Sequence, residues 1–212
     1  MNRFLLILIT ILTIACSTQN DLLDDQLVKN GFSNSDVENI HKLVAYFETR
    51  IGVQQTNITT SYRNLFQETS FNFDSISNHI FNKDSLRSFL NGIPKTTRNE
   101  IWATNNSTAY KSYENKTFKE PIKYKSFDID LSGKYLDLLK DISKEDKNVQ
   151  IYVDQIVSKG GIPTFGVFND IVIDKKGNDI VSFKSDYWRM IIAIYYITML
   201  EDHYRYLELS EN

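Results

Sequence analysis

Few residues in this chain combine a type and a spacing that could do chemistry. There is one cysteine, Cys16, and three histidines, so neither an internal disulfide nor a thiolate zinc site can form. Glu38 and His41 have the Glu-x-x-His spacing of one half of a carboxylate-bridged di-iron site. His79 and His203 have no glutamate three residues before them, so the second half is missing. We predict no metal site and no cofactor.

A second spacing suggests calcium. Asp128, Asp130, Ser132 and Gly133 follow the pattern of oxygen ligands and glycine that opens an EF-hand loop. The twelfth position of that loop is Leu139, where a bidentate glutamate would supply most of the affinity. A cap at the start of the next helix, formed by Asp130 or Ser132, explains the same residues. The cap is the preferred interpretation, and calcium binding stays open.

A third segment, Gly161-Ile162-Pro163-Thr164, resembles the stretch that borders the redox site of thioredoxin-like proteins. Redox chemistry in that family needs a Cys-x-x-Cys pair, which this chain lacks. We therefore expect no redox activity and interpret the segment as a loop that leads into a hairpin. No serine-nucleophile elbow, phosphate-binding glycine loop or His-Glu-x-x-His motif occurs, and we predict no catalytic residues from motifs.

Aromatic and basic residues alternate between residues 110 and 125. The aromatic members are Tyr110, Tyr113, Phe118 and Tyr124, and the lysines are Lys111, Lys116, Lys119, Lys123 and Lys125. Such patterns can bind single-stranded nucleic acid, but the formal net charge of −3 leaves no large cationic field, so we exclude nucleic acid as a partner. Because tyrosines anchor interfaces, the four aromatic residues are weak candidates for binding a protein partner.

The first 15 residues are typical of an export signal. A single arginine precedes an apolar run that is too short to span a bilayer comfortably. The following Ile14-Ala15-Cys16 resembles the lipobox of bacterial lipoproteins, although Thr13 stands where that family usually has leucine. The resemblance implies a signal peptide at 1–15, a lipidated tether at 16–24 and a membrane anchor at Cys16. Ser17 in the next position, rather than aspartate, implies the outer membrane of a Gram-negative bacterium.

Two further tripeptides, Asp74-Ser75-Ile76 and Asp84-Ser85-Leu86, resemble the O-glycosylation acceptors of exported Bacteroidota proteins. Helix capping by the serines explains both equally well.

Residues 25–212 are predicted to form a single, mainly α domain of about seven helices with one small β-hairpin. A content of 42% hydrophobic and 24% charged residues is that of a globular protein. Helical spacing of apolar residues ends at four glycines, which we expect in left-handed conformation: Gly31, Gly52, Gly92 and Gly160. The start of one helix is predicted at Ser35–Glu38, which has the form of a capping box.

Three other segments complete the prediction. Residues 104–130 lack helical spacing, and we expect irregular or extended structure there, with a hairpin as an alternative. Ile171–Ile173 and Ile180–Phe183 flank Lys-Lys-Gly-Asn, which predicts the hairpin. The last helix, from Asp186, is apolar on nearly every face and is therefore predicted to lie at the centre of the core.

These observations favour a membrane-anchored envelope lipoprotein that acts as a non-enzymatic protein-binding module, of the immunity or accessory kind. The alternative is an envelope hydrolase for glycan or peptidoglycan, in which the fold would bring together carboxylates such as Glu48, Glu68 or Glu100. Glu201 and Arg205, four residues apart, are expected to form a surface pair.

Overall fold

The computed structural model describes residues 22–71, 80–111 and 117–210, without the side chains of 68–71, 111, 117–119 and 210. These residues form nine α-helices and one two-stranded antiparallel sheet, as expected for a mainly α fold with one small hairpin. The helices are α1 at 22–29, α2 at Asn34–Arg50, α3 at Ile58–Phe71, α4 at Lys83–Gly92, α5 at Lys95–Asn99, α6 at Lys134–Ile142, α7 at Lys147–Lys159, α8 at Phe165–Val172 and α9 at Asp186–Leu207. A short 3-10 helix follows at Glu208–Ser210.

The last helix, α9, lies at the centre of the core, as its sequence predicted. Thirteen of its residues are buried, and it packs against α2, α4 and the sheet. Its polar groups find internal partners: Trp102 Nε1 donates to Thr198 Oγ1 at 2.7 Å, and the Tyr195 hydroxyl donates to the Pro163 carbonyl at 3.1 Å. Within the three described ranges, no helix combines the length and apolarity that a bilayer span requires.

The hairpin is not where the strongest turn signal placed it. Strand β1 (Trp102–Lys111) pairs with β2 (Thr117–Ile129), in the region expected to be irregular or extended, and so confirms the alternative of a hairpin there. The prediction of a hairpin at 171–183 is wrong, because Ile171 and Val172 continue α8 and bury its apolar side. Around this turn, one isolated antiparallel β-bridge pairs Ile173 with Asp179.

Helix ends were partly predicted. Gly31, Gly52 and Gly160 have positive φ, as expected. Gly92 does not, because Ile93 precedes a proline and is extended, so that α4 ends without a left-handed residue. The capping box of α2 exists, but two residues earlier than predicted, with Ser33 as N-cap and Asp36 at N3.

The start of the domain overlaps the predicted tether. Helix α1 begins at residue 22, and Leu23 and Leu27 are buried in the common core. Residues 1–21, which include the predicted signal peptide and Cys16, lie outside the described part of the chain, as do Asp74 and Ser75.

Candidate functional site

A cleft of about 550 Å³ opens where α4, β2 and the C-terminal end of α9 meet. Its volume is within the range of sites that take a small molecule or a few peptide side chains, about 300–1,000 Å³. The residues that line it are Arg87, Leu90 and Asn91 of α4, Arg98 of α5, Tyr124, Lys125 and Phe127 of β2, Glu201 and Arg205 of α9, and Glu208 and Leu209 of the 3-10 helix. We call it the arginine cleft.

The lining of the arginine cleft is cationic. Four of its side chains are basic and two are acidic, so two positive charges are in excess, although the whole chain is acidic. A concave wall of low dielectric concentrates the field of such charges. The arginine cleft therefore favours an anionic occupant.

Glu201 holds two of the arginines in place. Its side chain is 5% exposed, and its two oxygens accept hydrogen bonds from Arg87 Nε at 3.0 Å and Arg205 Nε at 2.8 Å. The pair of Glu201 and Arg205 was predicted on the surface. That placement is wrong, because α9 is buried to its last turns. Burial by itself lowers the pKa of Arg87, but its hydrogen bonds to Glu208 and Glu201 outweigh burial and raise it, so this guanidinium stays charged.

Arg205 also contacts strand β2. Its guanidinium lies 4.9 Å from the centre of the Phe127 ring, and its Nη1 donates to the Lys125 carbonyl at 3.2 Å. A cation over an aromatic face is an attractive arrangement. The buried carboxylate of Glu201 and the strand together fix the orientation of Arg205 at the wall of the cleft.

Arg98 differs from the other cations of the cleft. Its Nε is buried and has no hydrogen-bond partner within the described residues. A buried donor without a partner costs about 1–3 kcal/mol, and an ionised one more. Short helix α5 starts after Pro94, whose fixed φ suits the beginning of a helix, and this places Arg98 at the cleft.

Of the aromatic residues predicted to bind a partner, one lines the arginine cleft. Tyr124 is half-buried and packs edge-on against Tyr206, with ring centres 6.0 Å apart. Burial, with a smaller effect of the Asp202 carboxylate, raises the pKa of Tyr124, so that its hydroxyl stays neutral. Tyr110 is 65% exposed on β1 and is not part of the cleft wall. Tyr113 and the side chain of Phe118 lie outside the described residues.

The residues of the calcium-like pattern contact different partners. Asp128 Oδ1 accepts hydrogen bonds from the backbone N–H groups of Ile129 and Ile162, whereas Asp130 Oδ1 accepts from the N–H and hydroxyl of Ser132. The N-cap of α6 is Gly133, so the prediction that Asp130 or Ser132 caps this helix is wrong. Within the described ranges, no three His, Cys, Asp or Glu residues are grouped so that they could hold a metal ion.

The carboxylates of the hydrolase hypothesis lie in separate ion pairs. Glu48 accepts hydrogen bonds from Arg189 Nε and Nη2, and Glu100 accepts one from Lys134 Nζ at 2.8 Å. The side chain of Glu68 is outside the described residues. His41, from the di-iron pattern, contacts Asp24 at 2.7 Å. The structure therefore does not bring Glu48 and Glu100 together.

Two carboxyl groups have a raised pKa for a structural reason. Burial raises the pKa of Asp128 and of Asp202, against the lowering effect of the backbone N–H groups that bind them. Asp202 accepts from Phe127 N at 2.8 Å, and so holds α9 to β2. Asp128 holds the 161–162 loop. Neither carboxylate is among the residues that line the arginine cleft.

Sequence reasoning missed Arg87, Arg98 and Arg205 as a group. They belong to three elements, and the contact between Arg87 and Glu201 spans 114 residues of sequence. The only local signal was the spacing of Glu201 and Arg205, four residues apart on one helix. In comparisons with known proteins, no family model, no curated protein and no solved structure matches this chain.

Proposed function

We propose that this protein is a membrane-anchored lipoprotein of the bacterial envelope that acts as a non-enzymatic binding module and takes an acidic segment of a partner protein into the arginine cleft. The observation that carries this proposal is the excess of positive charge in the lining of the arginine cleft, where Arg98 is one of four basic residues against two acidic ones. Carboxylates of the partner neutralise this excess charge.

Guanidinium groups suit this role. Arginine binds carboxylates through its planar fork of donors, and charge-assisted hydrogen bonds are about twice as strong as neutral ones. Glu201 already holds the guanidinium groups of Arg87 and Arg205 by hydrogen bonds. These two side chains therefore lose little conformational entropy when a ligand binds. Tyr124, Phe127 and Leu90 offer apolar surface to the carbon atoms that carry the acidic group.

The proposed lipid anchor predicts where the partner protein lies. Lipid at Cys16 attaches the domain through residues 17–21, a link that spans about 20 Å at most. The partner is therefore another protein at or near the membrane surface. Binding by a tethered module of this kind needs no catalytic group.

A photo-crosslinking experiment in the native envelope tests the proposal. A photoreactive phenylalanine analogue replaces Tyr124, and mass spectrometry of the adduct identifies the partner and the cross-linked peptide. We expect one adduct whose cross-linked peptide is rich in Asp and Glu. Changing those acidic residues to amides in the partner should abolish the adduct.

Two variants decide whether the arginine cleft is responsible. Arg98→Ala should reduce the adduct about tenfold or more, as expected for the loss of a buried charged contact. Lys95→Ala, which removes an exposed charge from the same helix, is the matched control and should leave the adduct unchanged. An adduct that forms equally well in Arg98→Ala, with circular dichroism showing that this variant folds, would overturn the proposal.

A further inference from the structure

Helix α9 covers one edge of the hairpin. The outer edge of β2 exposes two backbone groups to α9: the Phe127 N–H donates to Asp202 Oδ1 at 2.8 Å, and the Lys125 carbonyl accepts from Arg205 Nη1 at 3.2 Å. Side chains of the helix therefore take the place of a third strand on this side of the sheet. The opposite edge belongs to β1.

These two contacts also determine which groups β1 directs outward. Phe127 is opposite Thr104, and Lys125 is opposite Asn106. Because the backbone groups of Phe127 and Lys125 point away from β1, both pairs are of the type without mutual hydrogen bonds. The N–H and C=O groups of Thr104 and Asn106 thus point away from β2, and by alternation so do those of Thr108. Within the described residues, these outward groups have no backbone hydrogen-bond partner.

The side chains of residues 102–110 do not protect this edge. Residues 102–110 contain neither a charged residue nor a proline, the two devices by which natural edge strands usually prevent pairing. The side chains at 104, 105, 106 and 108 are exposed. They are short and polar, and threonine favours strands.

The order of these residues is nearly symmetric. The run Thr104-Asn105-Asn106-Ser107-Thr108 reads almost the same in both directions. In an antiparallel pair centred on Asn106, each threonine faces a threonine and Asn106 faces its own copy. Like polar pairs of this kind can form hydrogen bonds across strands, and residues 102–110 themselves carry no charge. A charge does lie beside the run, because Lys125 of β2 donates from Nζ to Asn106 Oδ1.

We propose that β1 is a homodimer interface, in which β1 of one chain pairs antiparallel with β1 of a second copy about a two-fold axis at Asn106. The two hairpins then form one four-stranded sheet. The interface is isologous, since the same patch serves both partners and closes the assembly at two chains. The outward groups of residues 104, 106 and 108 exchange hydrogen bonds with their counterparts.

The interface and the arginine cleft lie on opposite edges of the hairpin, and they share one residue, Lys125, which lines the cleft and donates from Nζ to Asn106 Oδ1. The cleft is lined by β2 and α9, on the other edge of the hairpin. Pairing through β1 leaves both clefts of the dimer open, so the proposal stands or falls without the proposed function.

Cysteine cross-linking in the native membrane tests this proposal directly. Asn106→Cys places two thiols on the proposed two-fold axis, where a short bismaleimide should link two copies into a homodimer. Gln150→Cys, at an exposed position of α7, is the matched control and also reports any contribution of Cys16. We expect about tenfold more homodimer for Asn106→Cys than for the control, as strand pairing of moderate affinity would give.

Two further substitutions separate pairing from folding. Asn106→Pro removes only an outward N–H, which the β1–β2 ladder does not use, so the fold should persist while the dimer is lost. Asn106→Lys sets like charges opposite each other and should lower the dimer fraction about tenfold. Gln150→Lys, with the same change of charge, should leave the dimer fraction unchanged. The proposal is overturned if Asn106→Cys cross-links no better than Gln150→Cys, or if it links to a different protein.

Discussion

Oε1 of Glu208 lies 2.5 Å from Nη1 of Arg87, inside the cleft proposed to bind acidic groups. The hydrogen bond from Arg87 is the main cause that lowers the pKa of Glu208, against an opposing effect of burial. Glu208 is 39% exposed, whereas Glu201, the other carboxylate on Arg87, is 5% exposed. Glu201 therefore serves as a fixed support, and Glu208 occupies a position that an acidic ligand would take.

We expect Glu208→Gln to strengthen binding of an acidic ligand. Removing the competing charge should lower the Kd several-fold, about the worth of one partly exposed ion pair. Fluorescence anisotropy with a labelled tetraglutamate peptide measures the change, and Glu38→Gln, an exposed carboxylate on α2, is the control. A weaker affinity in Glu208→Gln would show instead that Glu208 positions Arg87 for the ligand.

Gly161 should not tolerate alanine. A Cβ at this position would lie 2.0 Å from Oδ2 of Asp128, whose other oxygen is held by two backbone N–H groups. We expect Gly161→Ala to lower the free energy of unfolding by about 2 kcal/mol or more, since the carboxylate must give up these bonds to move. Urea unfolding of Gly161→Ala and of the wild type measures this change in the free energy of unfolding.

The control for that substitution is Gly166→Ala. Gly166 lies in α8 with nothing within 4 Å of an added Cβ, so alanine should stabilise the helix by about 0.5–1 kcal/mol. In the Asp128→Ala background, Gly161→Ala should cost far less than in the wild type. An equal cost in both backgrounds would show that Asp128 is not the obstacle.

Asp146 should make the protein sensitive to acid. Its carboxylate caps α7 through Asn148 and Val149 and accepts from Tyr187 Oη and Trp188 Nε1, both at 2.9 Å. Burial pushes its pKa up, but these four hydrogen bonds outweigh burial and bring it below 3.8. A carboxyl group with a lowered pKa contributes stability above its unfolded value and loses that contribution as the pH falls through the folded value.

The test compares Asp146→Ala with the wild type at two pH values. At pH 7 the variant should be less stable by about 1–2 kcal/mol, and at pH 3 the difference should be smaller. Trp188 fluorescence during urea unfolding reports the contact itself. Asp154→Ala, at an exposed position of α7, controls for the loss of one charge. A difference that is equal at both pH values would contradict the assignment to Asp146.

The ion pair of Glu48 and Arg189 should add little net stability, but losing one partner should leave the other charge buried and unpaired, which is costly. Glu48 Oε1 and Oε2 accept from Arg189 at 2.6 and 2.7 Å, and Tyr62 donates to the same carboxylate at 3.0 Å. Glu48→Ala should cost about 3–5 kcal/mol, since it leaves a largely buried guanidinium without its main partner. Replacing Glu48 and Arg189 together by methionine should cost less, which thermal unfolding would show. If the double variant were less stable than Glu48→Ala, the attraction within the pair would be larger than its desolvation cost.

Cys16 should be required for the anchor and not for the fold. We expect the wild type to incorporate palmitate and to remain with the envelope in a salt wash. Cys16→Ala should lose the label and the lipoprotein type of processing, with unchanged circular dichroism of the domain. A wild type without palmitate that leaves the envelope in salt would refute the lipoprotein prediction.

Some features of the fold could be predicted because they depend on neighbouring residues. The burial of α9 follows from apolar residues on nearly every face between Tyr187 and Leu200. The positive φ of Gly31, Gly52 and Gly160 follows from glycine at the ends of helical periodicity. The lipobox-like residues before Cys16 are likewise a local pattern, and they predict export and lipid attachment independently of the fold.

Other features depend on which elements meet in space. The run from Ile171 to Ile173 suits a strand or a buried helix equally well; packing against the core decided for the helix at Ile171 and Val172, whereas Ile173 is extended. β1 and β2 form a hairpin although their sequence lacks a strong turn signal, because α9 covers one edge of the pair. The cleft joins Arg87, Arg98 and Arg205 across long stretches of sequence. Local periodicity shows which face of an element is buried. Only tertiary packing decides which charged side chains converge and which donor, such as Arg98 Nε, has no partner among the described residues.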